Sequence, residues 1–156
     1  MKKILISDVS FVLLFPKDPE YTGSLNGLYR EHKEEANFNF FDYFKVNTEL
    51  LDLYTQYANN DARYIFTSDA IQDDPVLQEY WQPVFARIHS AKKMGVEKND
   101  PKAYEVLLQT IKASAEDVLY IDDKQENVDA AQQMGISTIL YRSNEEVAEQ
   151  LKKQMT

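Results

Sequence analysis

Apolar residues gather in five short runs, at residues 3–8, 62–67, 84–89, 118–122 and 136–141. Each is of strand length, and segments with apolar residues at helical spacing separate most of them. The helical stripes are Val46-Leu50-Leu53-Tyr54-Tyr57, Tyr104-Leu107-Leu108-Ile111, Val128-Ala131-Met134 and Val147-Leu151. Strands alternating with helices predict a parallel sheet with crossover helices, hence an α/β fold. Ser143-x-x-Glu146 reads as a capping box that opens the last helix, and Gly95 and Gly135 stand where helices should end. Residues 13–45 break the pattern: they hold Pro16, Pro19, Gly23 and Gly27 and no strand-length apolar run, so they read as an insertion after the first strand. Phe38, Phe40, Phe41, Tyr43 and Phe44 form an aromatic cluster in it, read as packing onto the core rather than stacking on substrate.

At 156 residues with 44% hydrophobic content, the chain suits one domain over 1–156, with the insertion as its appendage. A net charge of −9 argues against a nucleic-acid or anionic-membrane footprint. It leaves room for one phosphorylated molecule, because a single anion needs only a local trap of cation, lysine and backbone N–H groups. The absence of cysteine excludes thiol nucleophiles and thiolate metal sites. Met1-Lys2-Lys3 followed by an apolar stretch is signal-like, but Asp8 interrupts it, so the reading is cytoplasmic. No run approaches the roughly 20 apolar residues of a membrane span.

The chemistry lies at the strand ends. Asp122-Asp123 follows Val118-Leu119-Tyr120-Ile121, and adjacent carboxylates at the end of a buried strand repel each other unless a cation sits between them, which is the profile of a Mg²⁺ site. Lys3-Ile4-Leu5-Ile6-Ser7 ends in Asp8, and Tyr64-Ile65-Phe66 ends in Thr67. In open α/β sheets, ligands bind outside these carboxyl ends. The two histidines, His32 and His89, have no metal-ligand spacing and read as neutral structural groups. The four glycines form no phosphate-binding fingerprint. Trp81 reads as packing at a helix end.

These residues resemble the four spaced motifs of the haloacid dehalogenase superfamily. The first is Ile4-Leu5-Ile6-Ser7-Asp8; the second is Tyr64-Ile65-Phe66-Thr67 with Ser68; the third is Ser90-x4-Gly95 with Lys98; the fourth is Ile121-Asp122-Asp123, followed by Asn127 and Ala130-Ala131. The resemblance implies a Rossmann-like three-layer core and a Mg²⁺-dependent phosphatase. In it Asp8 is the nucleophile; Thr67, Ser68 and Lys98 hold the phosphate; and Asp8, the main-chain carbonyl of Ser10, Asp122 and Asp123 hold the metal. Its substrate would be a small phosphorylated molecule or a phosphoprotein.

The chain departs from the family pattern at three places. Ser10 stands where phosphatases of this family carry a second aspartate, the general acid, which implies low or specialised activity or, alternatively, a silent binding or regulatory protein. Asn99 replaces a proline after the lysine. The cap that selects substrate has only about thirty residues to occupy, against 50 or more for an independent domain. It is therefore reduced or absent, leaving the site open or covered by a neighbouring subunit in a homo-oligomer. A receiver domain combines similar residues, but with the acidic pair after the first strand.

Overall fold

In the computed structural model, which describes residues 1–156, the apolar runs form a five-stranded parallel sheet. Its strands are β1 (Ile4–Ser7), β4 (Arg63–Thr67), β5 (Arg87–Ser90), β6 (Val118–Asp122) and β7 (Ser137–Leu140), in the order β5-β4-β1-β6-β7. The chain runs outward from β1 to β4 and β5 on one side, then returns to fill β6 and β7 on the other. Strand order therefore reverses beside β1, where doubly wound sheets open their ligand crevice. Register places Ser7 opposite Ile65 on β4 and Ile121 on β6, so the residues following β1 and β6 emerge side by side.

The two-residue period of the strands divides the core into layers. Leu5, Ile65, Leu119 and Ile121 pack on one face, against α3 (Thr48–Tyr54), through Leu50, Leu51 and Tyr54, and α8 (Asn144–Met155), through Val147 and Leu151. Ile6, Phe66, Val118 and Tyr120 pack on the other, against α6 (Pro101–Ile111) and α7 (Gln125–Gln133). Each fully buried large aliphatic side chain contributes roughly 1.5–3 kcal/mol. Ser143 caps α8 by accepting from the Glu146 N–H at 3.2 Å. Gly135, with φ +83°, turns the chain from α7 into β7.

Two sequence expectations need correction. The third strand begins at Arg87, three residues later than the apolar run at 84–89 suggests, because Val84 and Phe85 bury themselves in the turn that follows α4 (Gln78–Trp81). Within the insertion, short strands do occur: β2 (Leu14–Pro16) and β3 (Phe44–Val46) pair antiparallel as a two-stranded stem. Three ladder pairs, with Pro16 opposite Phe44, are too few to give a periodic signal in the sequence. From the stem project α1 (Leu25–His32) and α2 (Phe40–Tyr43). Phe40 and Phe44 lie buried with ring centroids 4.6 Å apart, and Tyr29 meets Phe40 edge-on, so the aromatic cluster is core. Trp81 is buried too, and its indole N–H donates to the Gln72 carbonyl at 3.0 Å. No helix is long and apolar enough to cross a membrane.

His89 is half-buried on the edge strand β5, beside the Tyr64 ring, and its Nε2 has no partner. Burial, with Arg87 adding to it, holds the imidazole below its ordinary value of 6.5. The unfolded chain therefore binds this proton first, so stability is lost as the pH falls from about 6.5 toward the folded value. Thermal melts between pH 7 and pH 5 should show a shallower loss for His89→Phe than for wild type; equal slopes would show that His89 takes no part.

Candidate active site

β1 delivers Asp8 into the crevice. Its backbone N–H still pairs with the Ile121 carbonyl at 2.9 Å, which fixes the residue at the end of the ladder, and it is only 6% exposed. The chain then turns sharply. The N–H groups of Val12, Leu13 and Leu14 all point to the Val9 carbonyl, and Phe11 takes the left-handed conformation at φ 60°. Such a conformation costs a bulky residue on the order of 1–3 kcal/mol, a cost that here swings Ser10 and Phe11 to the cavity wall.

Lys98 arrives from a loop bounded by two helix signals. Gly95, at φ 72°, ends the short α5 (Ala91–Met94), and Asp100 caps α6 through the Lys102 N–H, with Pro101 at the first helical position. The intervening residues must cross the crevice. Lys98 is 5% exposed, whereas its neighbours Lys92 and Lys93 are exposed. Its ammonium donates to Asp8 Oδ1 at 2.8 Å and to the Phe66 carbonyl at 3.2 Å, and it lies 2.8 Å from Asp122 Oδ2. The rings of Phe66 and Tyr120 lie about 5.5 Å away and add cation–π attraction.

Asp122 is fully buried and surrounded by donors. Oδ1 accepts from the Lys124 N–H at 2.9 Å; Oδ2 accepts from Asn127 Nδ2 at 3.1 Å and from the Tyr120 hydroxyl, and faces Lys98. Asp123 is half-buried and lines the cavity with Asp8. Thr67, 2% exposed, donates to Gln72 Oε1 at 3.3 Å, and Gln72 Nε2 turns back to the Asp69 carbonyl. Ser68 lies at the same cavity mouth. The structure thus brings together every residue singled out from the motifs: Asp8, Ser10, Thr67, Ser68, Lys98, Asp122 and Asp123. It adds Tyr120 and Gln72, which the motifs do not name. Tyr120 was legible, since residues two apart on a strand share a face. Gln72 carries no sequence signal, because its burial depends on Trp81 folding over the loop after β4.

Charge is unbalanced here. Burial raises the Asp8 carboxyl well above its ordinary value, and the charges of Asp122 and Asp123 add to the shift; together they outweigh Lys98. Burial also raises Asp123, with Asp122 contributing. Burial opposes ionisation of Asp122 as well, but Lys98 and the hydrogen bonds from Lys98, Tyr120 and Lys124 hold its carboxyl below the ordinary value. The two carboxylates also keep Lys98 above its ordinary value despite burial. With all three carboxyls ionised, the one ammonium between them would leave two negative charges uncompensated. Each of Asp8, Asp122 and Asp123 offers an oxygen within 4.8 Å of the others. A hard divalent cation fits both this donor set and this charge. Asp8 and Asp123 face the cavity, whereas both Asp122 oxygens already take hydrogen bonds from the protein.

Residues 65–141 match the haloacid dehalogenase-like hydrolase family, a stretch that contains Thr67, Lys98, Asp122 and Asp123 but not Asp8. A bifunctional epoxide hydrolase 2 from Sus scrofa is 29% identical over 72 residues, 46% of this chain and 13% of that protein. A sesquiterpene phosphatase from Aspergillus oryzae is 36% identical over 77 residues, 48% of this chain and 39% of that one. The chain therefore spans well under half the length of these curated relatives. Among solved structures, a hydrolase from Streptococcus pneumoniae TIGR4 superimposes with a TM-score of 0.64 at 16% identity, covering 97% of this chain and 100% of that one. A haloacid dehalogenase family enzyme from Bacteroides thetaiotaomicron, solved with magnesium and inorganic phosphate, gives 0.61 at 14% identity, over 91% and 95%. The family match over residues 65–141, together with a fold shared over nearly the whole length with these structures, supports a haloacid dehalogenase-like hydrolase.

Proposed function

We propose that the protein is a Mg²⁺-dependent phosphatase working through an aspartyl phosphate on Asp8, as one domain in which residues 13–45 stand in for a full cap. The buried Asp8–Lys98–Asp122 cluster, which reaches a polar cavity through Asp8, carries the reading. An Asp8 oxygen attacks phosphorus, the bond to the leaving oxygen breaks, and that oxygen departs with the electron pair. Water then attacks the phosphorus of the acyl phosphate, releasing inorganic phosphate and regenerating the carboxylate. Lys98 orients Asp8 and favours its ionised form; Thr67, Ser68 and adjacent N–H groups take the phosphate oxygens. Asp8, Asp122, Asp123 and the Ser10 carbonyl would hold the ion. Mg²⁺ would there supply the charge that offsets the repulsion between an anionic nucleophile and an anionic substrate. Support comes from the Bacteroides structure, which holds magnesium and phosphate in the same fold, and from the Aspergillus phosphatase.

Ser10, at the cavity wall, supplies no carboxylic proton to the leaving group. A general acid is worth about 10² to 10⁴ in rate. The enzyme should therefore hydrolyse acyl and aryl phosphates, whose leaving groups need little protonation, in the presence of Mg²⁺ and not of EDTA. It should be far poorer on alkyl phosphates. Ser10→Asp should raise alkyl-ester turnover by about tenfold or more. A wild type inactive on acetyl phosphate, with no gain in Ser10→Asp, would favour the second reading that Ser10 suggests, a silent binding protein.

A further inference from the structure

The phosphate end of the cavity is accounted for by the motifs; the opposite wall is not. That wall is α1 and the residues leading into it, Thr22 to Asn26 with Arg30. Three side-chain links fasten α1 across the crevice to the loop after β4. Asn26 Oδ1 accepts from the Ile71 N–H at 3.2 Å, Arg30 Nη1 donates to Asp69 Oδ2 at 2.9 Å, and the Tyr29 hydroxyl donates to Asp74 Oδ2 at 2.7 Å. Burial, with Asp74 beside it, pushes the Tyr29 phenol up to about 12, so this donor keeps its proton at any physiological pH. The buried anchor of the wall is Leu25, which packs into the core below. A wall tied at three points and anchored by a core leucine is a fixed boundary.

The boundary limits size and chemistry together. It closes a cavity of about 500 Å³ in which only two of the fifteen lining residues, Phe11 and Leu25, are hydrophobic. Small-molecule sites of this volume are ordinarily lined mainly by apolar side chains. This one presents hydrogen-bonding groups instead. Fixing Asn26 Oδ1 on Ile71 leaves the amide Nδ2 as a donor, and Ser24, whose Oγ accepts from the Gly27 N–H, keeps its proton to give. An aliphatic chain entering here would strip water from these groups and return nothing, leaving each of them desolvated and unpaired. A leaving group bearing hydroxyls would replace that water.

We infer, resting on the phosphatase reading above, that α1 is the specificity element of the site and that it selects small, hydroxyl-bearing activated phosphates through Thr22, Ser24 and Asn26. The inference separates this chain from its Aspergillus relative, named for a sesquiterpene substrate, and from an enzyme of phosphoproteins, which a fixed wall would obstruct.

Acyl phosphates test it well, because their carboxylate leaving groups are all weakly basic, and comparing each substrate pair between wild type and variants cancels the difference in leaving-group strength that remains. We would measure kcat/KM for glyceroyl, acetyl and decanoyl phosphate with Mg²⁺, in wild type, Thr22→Val and Asn26→Leu. Wild type should prefer glyceroyl over acetyl and reject decanoyl phosphate. Loss of a group that hydrogen-bonds substrate costs tenfold or more in discrimination. The ratio of glyceroyl to acetyl phosphate should accordingly fall by about tenfold in at least one variant. Thr22 is exposed and tied into no hydrogen bond of the fold, so its variant remains informative if Asn26→Leu melts early. Decanoyl phosphate used as well as glyceroyl phosphate, or a ratio unmoved in both variants, would overturn the inference and leave the phosphatase reading standing. No Asp8-dependent turnover of any of the three would remove both.

Discussion

Asp8→Asn should abolish turnover of acetyl phosphate, by a factor on the order of 10⁴ or more, without unfolding the protein. The amide cannot form the acyl phosphate, and the remaining groups, Lys98 and Thr67, can only bind what is no longer attacked. The stability half of the prediction has a worked sign. Asp8 is raised in the fold by burial and by Asp122 and Asp123. A raised carboxyl contributes stability below its unfolded value, near 3.8, and that contribution is lost as the pH climbs through the folded value, so holding Asp8 ionised at pH 7 without metal costs stability. A neutral isostere avoids the cost. Thermal melts in EDTA should therefore find Asp8→Asn at least as stable as wild type, while added Mg²⁺ should stabilise wild type more than the variant. Undiminished turnover in Asp8→Asn, or trapping of the phosphoryl group on another carboxylate, would end the mechanism.

The uneven legibility of the fold has physical causes. Strands β1, β4 and β6 announce themselves because they are buried on both faces, so their sequences are nearly continuous apolar runs. β5 is an edge strand with Arg87 and His89 on it, and the more hydrophobic Val84 and Phe85 beside it drew the expected strand toward the turn. The β2–β3 stem was hidden for another reason: three residues per strand make no period, and its partners lie thirty positions apart. The motif residues were readable because several of them coincide at the ends of apolar strands, where a single aspartate would read as a cap or turn residue. Their division of labour was not. Asp122 and Asp123 are equivalent in the sequence, and only the fold shows that Asp122 turns inward to Lys98, Tyr120 and Asn127 while Asp123 faces the cavity. Nor could the sequence show α1 fastened to the β4 loop, because Asn26, Tyr29 and Arg30 find their partners some forty residues away.

Lys98→Met should be the most destabilising single change in the site. Methionine keeps the length of the side chain and removes the ammonium, leaving Asp8 and Asp122 buried side by side with nothing to offset them. Removing one partner of a buried ion pair typically costs about 3–5 kcal/mol, a large share of the 5–15 kcal/mol that holds an ordinary domain together. That cost comes from the stranded carboxylates more than from lost contacts, so it should be recoverable. Adding Asp122→Asn to Lys98→Met removes one stranded charge, while the amide oxygen still accepts from the Lys124 N–H and its NH2 faces the Tyr120 hydroxyl, which can turn to accept. Urea unfolding of wild type, both single variants and the double should therefore show strong non-additivity, with the double variant more stable than Lys98→Met alone. Neither variant should turn over substrate, because in the absence of the ammonium Asp8 binds a proton more readily and is a poorer nucleophile. If the two losses simply add, Lys98 and Asp122 are not energetically coupled, and the buried cluster is not the electrostatic unit on which the phosphatase reading depends.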